Sequence, residues 1–408
     1  MTEPLTHPAP QPTAPRQLAW LESELDQWGA AGVVDDIQAE AIRGRYVAAR
    51  RFSLTTLLLF LGGAFLGVGV LWLVAANLDQ LSPVLRFVVV TTLWLAFVVT
   101  AEAVAVRRGR RSPPGAGHSD PSIGTLRLLA VLTFGAVVFQ AAQSLQVPAY
   151  EPALLGVWGL GALLYAYAVA AVAPLLVGIA ATTGWYVWAV LDGGGEGFVL
   201  PVLPVLLAGV VAAAIAVLHA GRWRPSFAAS WRESSALLTL LGLFVAAFPY
   251  VDAQGFDWSA PVVLGIVGAG AAVAAAAAVS TGRARLEALA PVGATVAGVL
   301  LVLWAPAEFD PSSVGVEGYA HAFVGVAVYV VAAGWYAVLG VRRDSARLTV
   351  LATAALVLFT TVQSFAVFAP IVTGAWLFLM LGLTLLGTGY LFDRGRRRLV
   401  ANLEGAQA

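Results

Sequence analysis

Six polar, uncharged side chains lie in two otherwise apolar segments at a spacing that could bind a ligand. They are Gln140, Gln143, Ser144, Thr360, Gln363 and Ser364. Each set of three occupies positions i, i+3 and i+4, which lie on one face of an α-helix. In a membrane such side chains can line a substrate cavity, or they can join two helices by hydrogen bonds. Because the two segments resemble each other, they also suggest parallel repeats of the kind that some transporters contain.

Four carboxylates form a second, speculative site. They lie in two connections between apolar segments and are Asp252, Asp257, Glu308 and Asp310. Paired carboxylates can bind a cation or act as acid and base on a lipid-linked substrate. Acidic loops are also expected wherever arginines are confined to the other side of a membrane, so the alternative of ordinary solvated loops stays open.

Several common kinds of catalytic and cofactor site are absent from the sequence. The chain has no cysteine, which excludes disulfides and thiolate chemistry. It also has no lysine, so a Gly-x-x-x-x-Gly-Lys phosphate loop is absent, and it has no Gly-x-Ser-x-Gly turn. The histidines are scattered at His7, His118, His219 and His321. We therefore expect no catalytic residue, no metal and no cofactor.

The elements that position these residues are predicted to be membrane helices. Of 408 residues, 60% are hydrophobic and 11% are charged, whereas soluble domains are about 45–50% apolar and about 25% charged. This composition excludes a soluble enzyme, a disordered chain, a coiled coil and a nucleic-acid-binding protein. Runs of about 20 apolar residues can span a bilayer as helices. They predict an all-α bundle of twelve spans: 54–76, 85–105, 127–147, 152–170, 172–190, 198–219, 234–250, 260–280, 288–305, 319–340, 347–369 and 371–392.

The arginines predict how the bundle is oriented. Pro174 and Pro370 divide two runs that are too long for one span. With this division and a cytoplasmic N-terminus, every arginine except Arg86 falls on the cytoplasmic side, as basic residues do in membrane proteins. We therefore predict an even number of spans, with both termini in the cytoplasm of a bacterial cell and the bundle in its inner membrane.

Two ionisable residues fall inside or beside the predicted spans. Glu102 lies near the cytoplasmic end of the second span, where a salt bridge with the Arg107–Arg111 cluster is expected. His321 lies near the outer surface, where a solvated or hydrogen-bonded histidine is favoured over a proton relay. A proton pump with a buried carboxylate relay is therefore disfavoured.

Outside the bundle, which covers residues 53–392, three shorter regions are predicted. Residues 1–15 are rich in proline and form a disordered tail, and residues 393–408 form a cytoplasmic arginine-rich tail. Residues 16–50 carry apolar residues at helical spacing and predict a pair of helices, the second capped by Asp35 or Asp36. This pair could cover the bundle, lie on the bilayer or bind a cytosolic protein.

The order of several motifs resembles that of a known family. Trp28 and Gly32 precede a glycine-rich span that ends Leu73-Val-Ala-Ala-Asn77, and Trp158 follows the glutamine-rich third span. The last span reads Leu377-Phe-Leu-Met-Leu-Gly382-Leu-Thr-Leu-Leu-Gly387. This order is similar to that of a bacterial family of predicted multi-pass membrane proteins of unknown function, DUF2157. The likeness is clearest over residues 18–175. It implies a membrane location and no established activity.

Three functions are compatible with these patterns. The favoured one is a non-catalytic membrane protein that binds or transports a small or lipid-like molecule. The second is a structural or sensory protein whose N-terminal helical pair binds a cytosolic partner. The third is a membrane enzyme that uses the outer carboxylates on a lipid-linked substrate. Membrane lipids are expected partners, and nucleic acid is not.

Overall fold

The computed structural model describes most of the chain and most of the predicted bundle. The described residues are 11–13, 15–48, 58–59, 61–63, 65–66, 69, 82–110, 121–148, 150–193, 199–220, 225–248, 251, 256, 258–304, 316–368, 382 and 386–387.

The described elements are α-helices, apart from two three-residue strands that pair in parallel, β1 (Gln11–Thr13) and β2 (Tyr46–Ala48). The helices are α1 (Pro15–Ala30), α2 (Asp36–Arg43), α3 (Pro83–Gly109), α4 (Pro121–Ser144), α5 (Pro152–Val169), α6 (Val172–Gly193), α7 (Val199–Ala220), α8 (Pro225–Ala246), α9 (Ala260–Val279), α10 (Gly282–Leu303), α11 (Val316–Arg342) and α12 (Ala346–Phe368).

Most of the predicted spans coincide with these helices. Ten of the twelve predicted ranges overlap α3 to α12, while 54–76 and 371–392 fall mostly outside the described residues. Among the described helices, nine are long and apolar enough to cross a membrane. The exception in the bundle is α8, whose first half carries serines together with Arg232 and Glu233. The chain is therefore a multi-pass helical membrane protein.

The break predicted near Pro174 is present. Ala170 ends α5 in the left-handed conformation, with φ of 55° and ψ of 44°, and α6 begins two residues later. Pro174 lies in the first turn of α6, where its missing N–H leaves no helical hydrogen bond unmade. The division at Pro370 lies outside the described residues.

The helices run alternately up and down, so the bundle has two distinct ends. At one end α3, α5, α7, α9 and α11 finish and α4, α6, α8, α10 and α12 begin. The described arginines of the bundle other than Arg86 lie there, and we call it the arginine end. We call the opposite one the far end. Helix α7 lies inside the bundle and packs against α6, α8, α9 and α10.

Small residues allow the helices to approach closely. Gly135 on α4 faces the indole of Trp158 on α5, and a Cβ at that position would lie 2.6 Å from the ring. The indole N–H of Trp158 donates to the carbonyl oxygen of Val131 at 2.9 Å. This contact fixes α5 against α4 by both packing and a hydrogen bond.

The N-terminal helical pair is also present. Asp35 caps α2, as one of the two predicted alternatives, because its carboxylate accepts from the N–H of Gln38 at 2.7 Å. The Gln38 side chain in turn accepts from the N–H of Asp35 at 3.1 Å, which completes a capping box. Arg43 on α2 donates to Asp26 on α1 at 3.3 Å. We call α1 and α2 the N-terminal hairpin. Residues 1–10 and 393–408 lie outside the described residues.

Candidate functional site

Gln363 on α12 is the predicted site residue that the structure buries with an unused polar atom. Its side chain is 3% exposed. Its amide nitrogen lies 3.5 Å from the carbonyl oxygen of Ala247, at the end of α8. Its Oε1 atom is buried without a hydrogen-bond partner among the described residues. Thr360, one turn earlier, donates to the carbonyl of Leu356 at 2.7 Å. The side chain of Ser364 lies outside the described part.

The matching set on α4 has different surroundings. Gln140 is buried, whereas Gln143 and Ser144 are exposed at the end of the helix. The Ser144 hydroxyl donates to the carbonyl of Gln140 at 2.9 Å. Helix α4 packs against α3, α5 and α6, while α12 packs mainly against α11 and α8. The two sets therefore do not face each other across neighbouring helices, and their role in substrate binding stays a prediction.

His321 on α11 is fully buried, at 0% exposure. Of the two predicted alternatives the hydrogen-bonded histidine is observed and the solvated one is not, because α11 begins at Val316 and places His321 within the bundle. The ring atom Nε2 lies 3.0 Å from the carbonyl oxygen of Leu301, so Nε2 carries the proton. The other nitrogen, Nδ1, is buried with no partner in the described structure.

The helix that carries His321 and the helix that carries Gln363 meet at Ala247. Gly325 lies one helical turn after His321, and a Cβ at Gly325 would lie 3.1 Å from the Cβ of Ala247. The backbone of Ala247 is also the acceptor for Gln363. Gly325, one turn from His321, and Gln363 therefore both contact Ala247, the residue that follows α8. We call His321, Gly325, Ala247 and Gln363 the far-end site.

Aromatic rings pack one helical turn from Gln363, toward the bundle centre. Phe359, one turn before Gln363, stacks on Tyr329 with ring centroids 3.8 Å apart. Phe244 meets the edge of Phe359 at 5.7 Å. These rings belong to a buried apolar cluster that joins α8, α11 and α12. The site thus combines unpartnered hydrogen-bond acceptors with an apolar surface.

The arginine end contains a buried ion cluster that the sequence analysis missed. Glu287 on α10, with a side chain 5% exposed, pairs with Arg232 on α8 and with Arg343 after α11. The Nε atoms of both arginines donate to its Oε1 atom, at 2.8 Å and 3.1 Å. The sequence Arg-Ala-Arg-Leu-Glu could have indicated this cluster, because it lies in the first turns of α10 rather than at the end of the preceding loop.

A small cavity adjoins this cluster but cannot hold a substrate. It has a volume of about 10 Å³, and its polar lining comes from Arg232, Ser235, Glu287 and Tyr336. That volume holds about one water molecule, whereas sites for small molecules measure roughly 300–1,000 Å³. The Tyr336 hydroxyl donates to Thr239 at 3.0 Å and lies 3.1 Å from Ser235. The polar groups that line this cavity hydrogen-bond to one another or to neighbouring residues.

Glu102 forms a second ion cluster at the arginine end. It pairs with Arg127 on α4 through two hydrogen bonds of 2.9 Å and 2.8 Å. The hydroxyl of Tyr165 on α5 donates to the same carboxylate at 2.8 Å. The predicted salt bridge of Glu102 is thus present, but Glu102 pairs with Arg127 on the next helix rather than with the Arg107–Arg111 cluster. It connects α3, α4 and α5.

A third hydrogen-bonded group at the arginine end joins α5, α7 and α8. His219 Nδ1 faces the carbonyl oxygen of Ile215 at 2.8 Å and therefore carries the proton. Its Nε2 accepts from the Tyr167 hydroxyl at 2.9 Å, and the Trp231 indole donates to that hydroxyl at 3.1 Å. Both ring nitrogens of His219, the Tyr167 hydroxyl and the Trp231 indole nitrogen therefore each have a hydrogen-bond partner.

The remaining predicted site cannot be placed. Asp252, Asp257, Glu308 and Asp310 lie outside the described residues. Within the part of the chain that the structure describes, no three His, Asp or Glu side chains come together as metal ligands.

The fold and the far-end site define a polytopic α-helical membrane protein with a buried polar site in its bundle. Residues 26–174 match the family model described as Predicted membrane protein (DUF2157), a family of unknown function. The resemblance predicted from the sequence is thereby confirmed, over a region that contains the Glu102 cluster. No curated protein and no solved structure matches the chain.

Proposed function

We propose that this protein is a twelve-span protein of the bacterial inner membrane with both termini in the cytoplasm. The support is the agreement between ten predicted spans and α3 to α12, together with the arginines gathered at one end of the bundle. Basic residues are retained on the cytoplasmic side of membranes. The arginine end then faces the cytoplasm and the far end faces outward.

We also propose that the protein is non-catalytic and binds a small or lipid-like molecule at the far-end site, as a carrier or receptor. The observation that carries this proposal is Gln363 Oε1, a buried acceptor with no partner among the described residues, together with Nδ1 of His321, which is likewise unpartnered there. Buried polar atoms in native structures are almost always hydrogen-bonded, so an unpartnered one needs an explanation. A bound molecule that donates hydrogen bonds provides it.

The surroundings define the ligand's chemistry. Both free atoms are acceptors, so the ligand presents hydroxyl, amide or amine hydrogens. The ring cluster of Phe359, Tyr329 and Phe244 is apolar and favours a hydrophobic body. A lipid-like molecule with a polar hydrogen-bonding end satisfies both conditions.

Native mass spectrometry of the purified protein tests this proposal. Wild-type protein released from detergent should carry an added mass, and Gln363→Leu should lose it. The matched control is Gln143→Leu, which changes the corresponding but exposed residue of α4 and should keep the mass. Wild-type protein without an added mass, or equal retention by both variants, would contradict binding at this site.

A further inference from the structure

The N-terminal hairpin folds as a unit but leaves an apolar surface uncovered. Leu25 and Ala39 are buried, at 2% and 7% exposure. Trp20, Val33 and Ile37 are in contrast 59%, 69% and 82% exposed. The hairpin packs chiefly on itself and on β2. We call these three exposed side chains the apolar face of the hairpin.

The charge of the hairpin identifies what kind of surface can cover this face. Acidic residues outnumber basic ones in residues 16–48: Glu22, Glu24, Asp26, Asp35, Asp36 and Glu40 against Arg16, Arg43 and Arg45. Helices that lie on a bilayer carry arginine or lysine on their polar face, and the cytoplasmic leaflet is negatively charged. An acidic hairpin is repelled by that surface and is attracted to a cationic one.

The arginine end of the bundle is such a cationic surface. Exposed arginines surround the junction of α10, α11 and α12: Arg283, Arg285, Arg342, Arg343 and Arg347. Two carboxylates nearby are already paired, Glu287 with Arg343 and Glu233 with Arg347 at 3.7 Å. The positive charge at this junction is therefore only partly balanced.

We propose that the N-terminal hairpin docks on the arginine end of its own bundle and covers it. The net negative charge of the hairpin then faces the arginines around the α10–α11–α12 junction, and contact with the bundle shields exposed apolar side chains of the hairpin. The tether is short, because β2 ends at Ala48 and the predicted first span begins at residue 54. Such a tether keeps the hairpin at the end of the bundle where the first span begins. This proposal rests on the cytoplasmic N-terminus proposed above.

Cysteine labelling of the full-length protein in nanodiscs tests the docking. The natural chain has no cysteine, so Ile37→Cys provides a single label site on the apolar face. We expect its reaction with a charged maleimide to be slowed about fivefold at roughly 50 mM salt relative to roughly 500 mM salt, since salt screens charge pairs. Reversing Arg283→Glu and Arg342→Glu should remove this protection.

A charge exchange makes the result specific. Adding Glu22→Arg and Glu24→Arg to the reversed bundle should restore protection, which a misfolded variant could not do. The matched control, Arg86→Glu at the far end, should leave protection unchanged. Equal labelling in all variants and salts would overturn the proposal. So would protection that appears only with anionic lipid or with added cytosolic extract, since the occupant would then be the bilayer or another protein.

A separate measurement distinguishes failure of docking from failure of the proposed topology. Cysteines introduced singly at Ile37 and at Arg283 are labelled in sealed vesicles with an impermeant reagent. Labelling from the same side supports the topology whatever the salt dependence shows. Labelling from opposite sides would overturn both the topology and the docking.

Discussion

The two ends of the bundle treat their buried polar groups in opposite ways. At the arginine end, Glu287 and Glu102 are each held by arginine, and His219 is satisfied by Tyr167 and a backbone carbonyl. At the far end, Gln363 Oε1 and His321 Nδ1 are buried without partners among the described residues. Of these groups, the Glu287 cluster and the far-end site involve the same helices, α8, α10, α11 and α12.

This difference indicates which end of the bundle stabilises the fold and which end binds a ligand. Where every polar atom is already hydrogen-bonded to protein, no atom is left to bind a ligand. Removing one member of such a network leaves an uncompensated buried charge. Buried polar atoms without hydrogen-bond partners destabilise the ligand-free protein. A ligand that hydrogen-bonds to them removes that cost. The arginine end is accordingly interpreted as the part that holds the helices together, and the far end as the part that binds.

The largest expected effect is the loss of Glu287. Glu287→Gln leaves Arg232, whose side chain is 10% exposed, without its counter-charge. Removing one partner of a buried ion pair costs about 3–5 kcal/mol. We expect a large drop in the thermal unfolding temperature in detergent. The control Glu317→Gln, at an exposed position of α11, should behave like wild type.

A double variant sharpens this test. Replacing Glu287 and Arg232 together by methionine removes both charges, and Arg343 can still reach solvent because its side chain is 38% exposed. Apolar replacement of a whole buried pair is often neutral, so the double variant should be more stable than Glu287→Gln. If Glu287→Gln unfolds like wild type, the arginine end is not the structural element described here.

A smaller loss is expected at Glu102. Its side chain is 34% exposed and the fold can hydrate it when its partner is removed. Hydrogen-bonded pairs at such positions contribute about 1 kcal/mol. Tyr165→Phe, which removes one of three hydrogen bonds to Glu102, should lower stability by less than Glu102→Gln. Thermal unfolding of the two variants checks this order, and the reverse order would contradict it.

The smallest change in stability, and of opposite sign, is expected at the far end. Gln363→Leu removes a buried, unpartnered amide oxygen and fills the space with apolar atoms. Protein stripped of bound molecules should therefore be as stable as wild type or more stable, by up to about 1 kcal/mol. Thermal unfolding after delipidation measures this. A destabilised variant would show that the Gln363 amide stabilises the fold, through Ala247 or through a partner of Oε1.

The sequence predicted the helices better than it predicted the site. Apolar runs fix where helices lie, and Pro174 marked the break between α5 and α6. Glu287 was missed because α10 begins at Gly282 and brings a residue that resembled a loop residue into the bundle. Helical spacing placed Gln140 and Gln143 on one face, yet only Gln140 is buried, because burial depends on neighbouring helices that spacing does not reveal.

A high-resolution structure of the protein in native lipid nanodiscs tests the central claim most directly. We expect density from a non-protein molecule that donates a hydrogen bond to Gln363 Oε1, at about 2.7–3.2 Å, and lies over Phe359. Dry apolar packing against Gln363, or bound density at Glu287 and Arg232 instead, would contradict it.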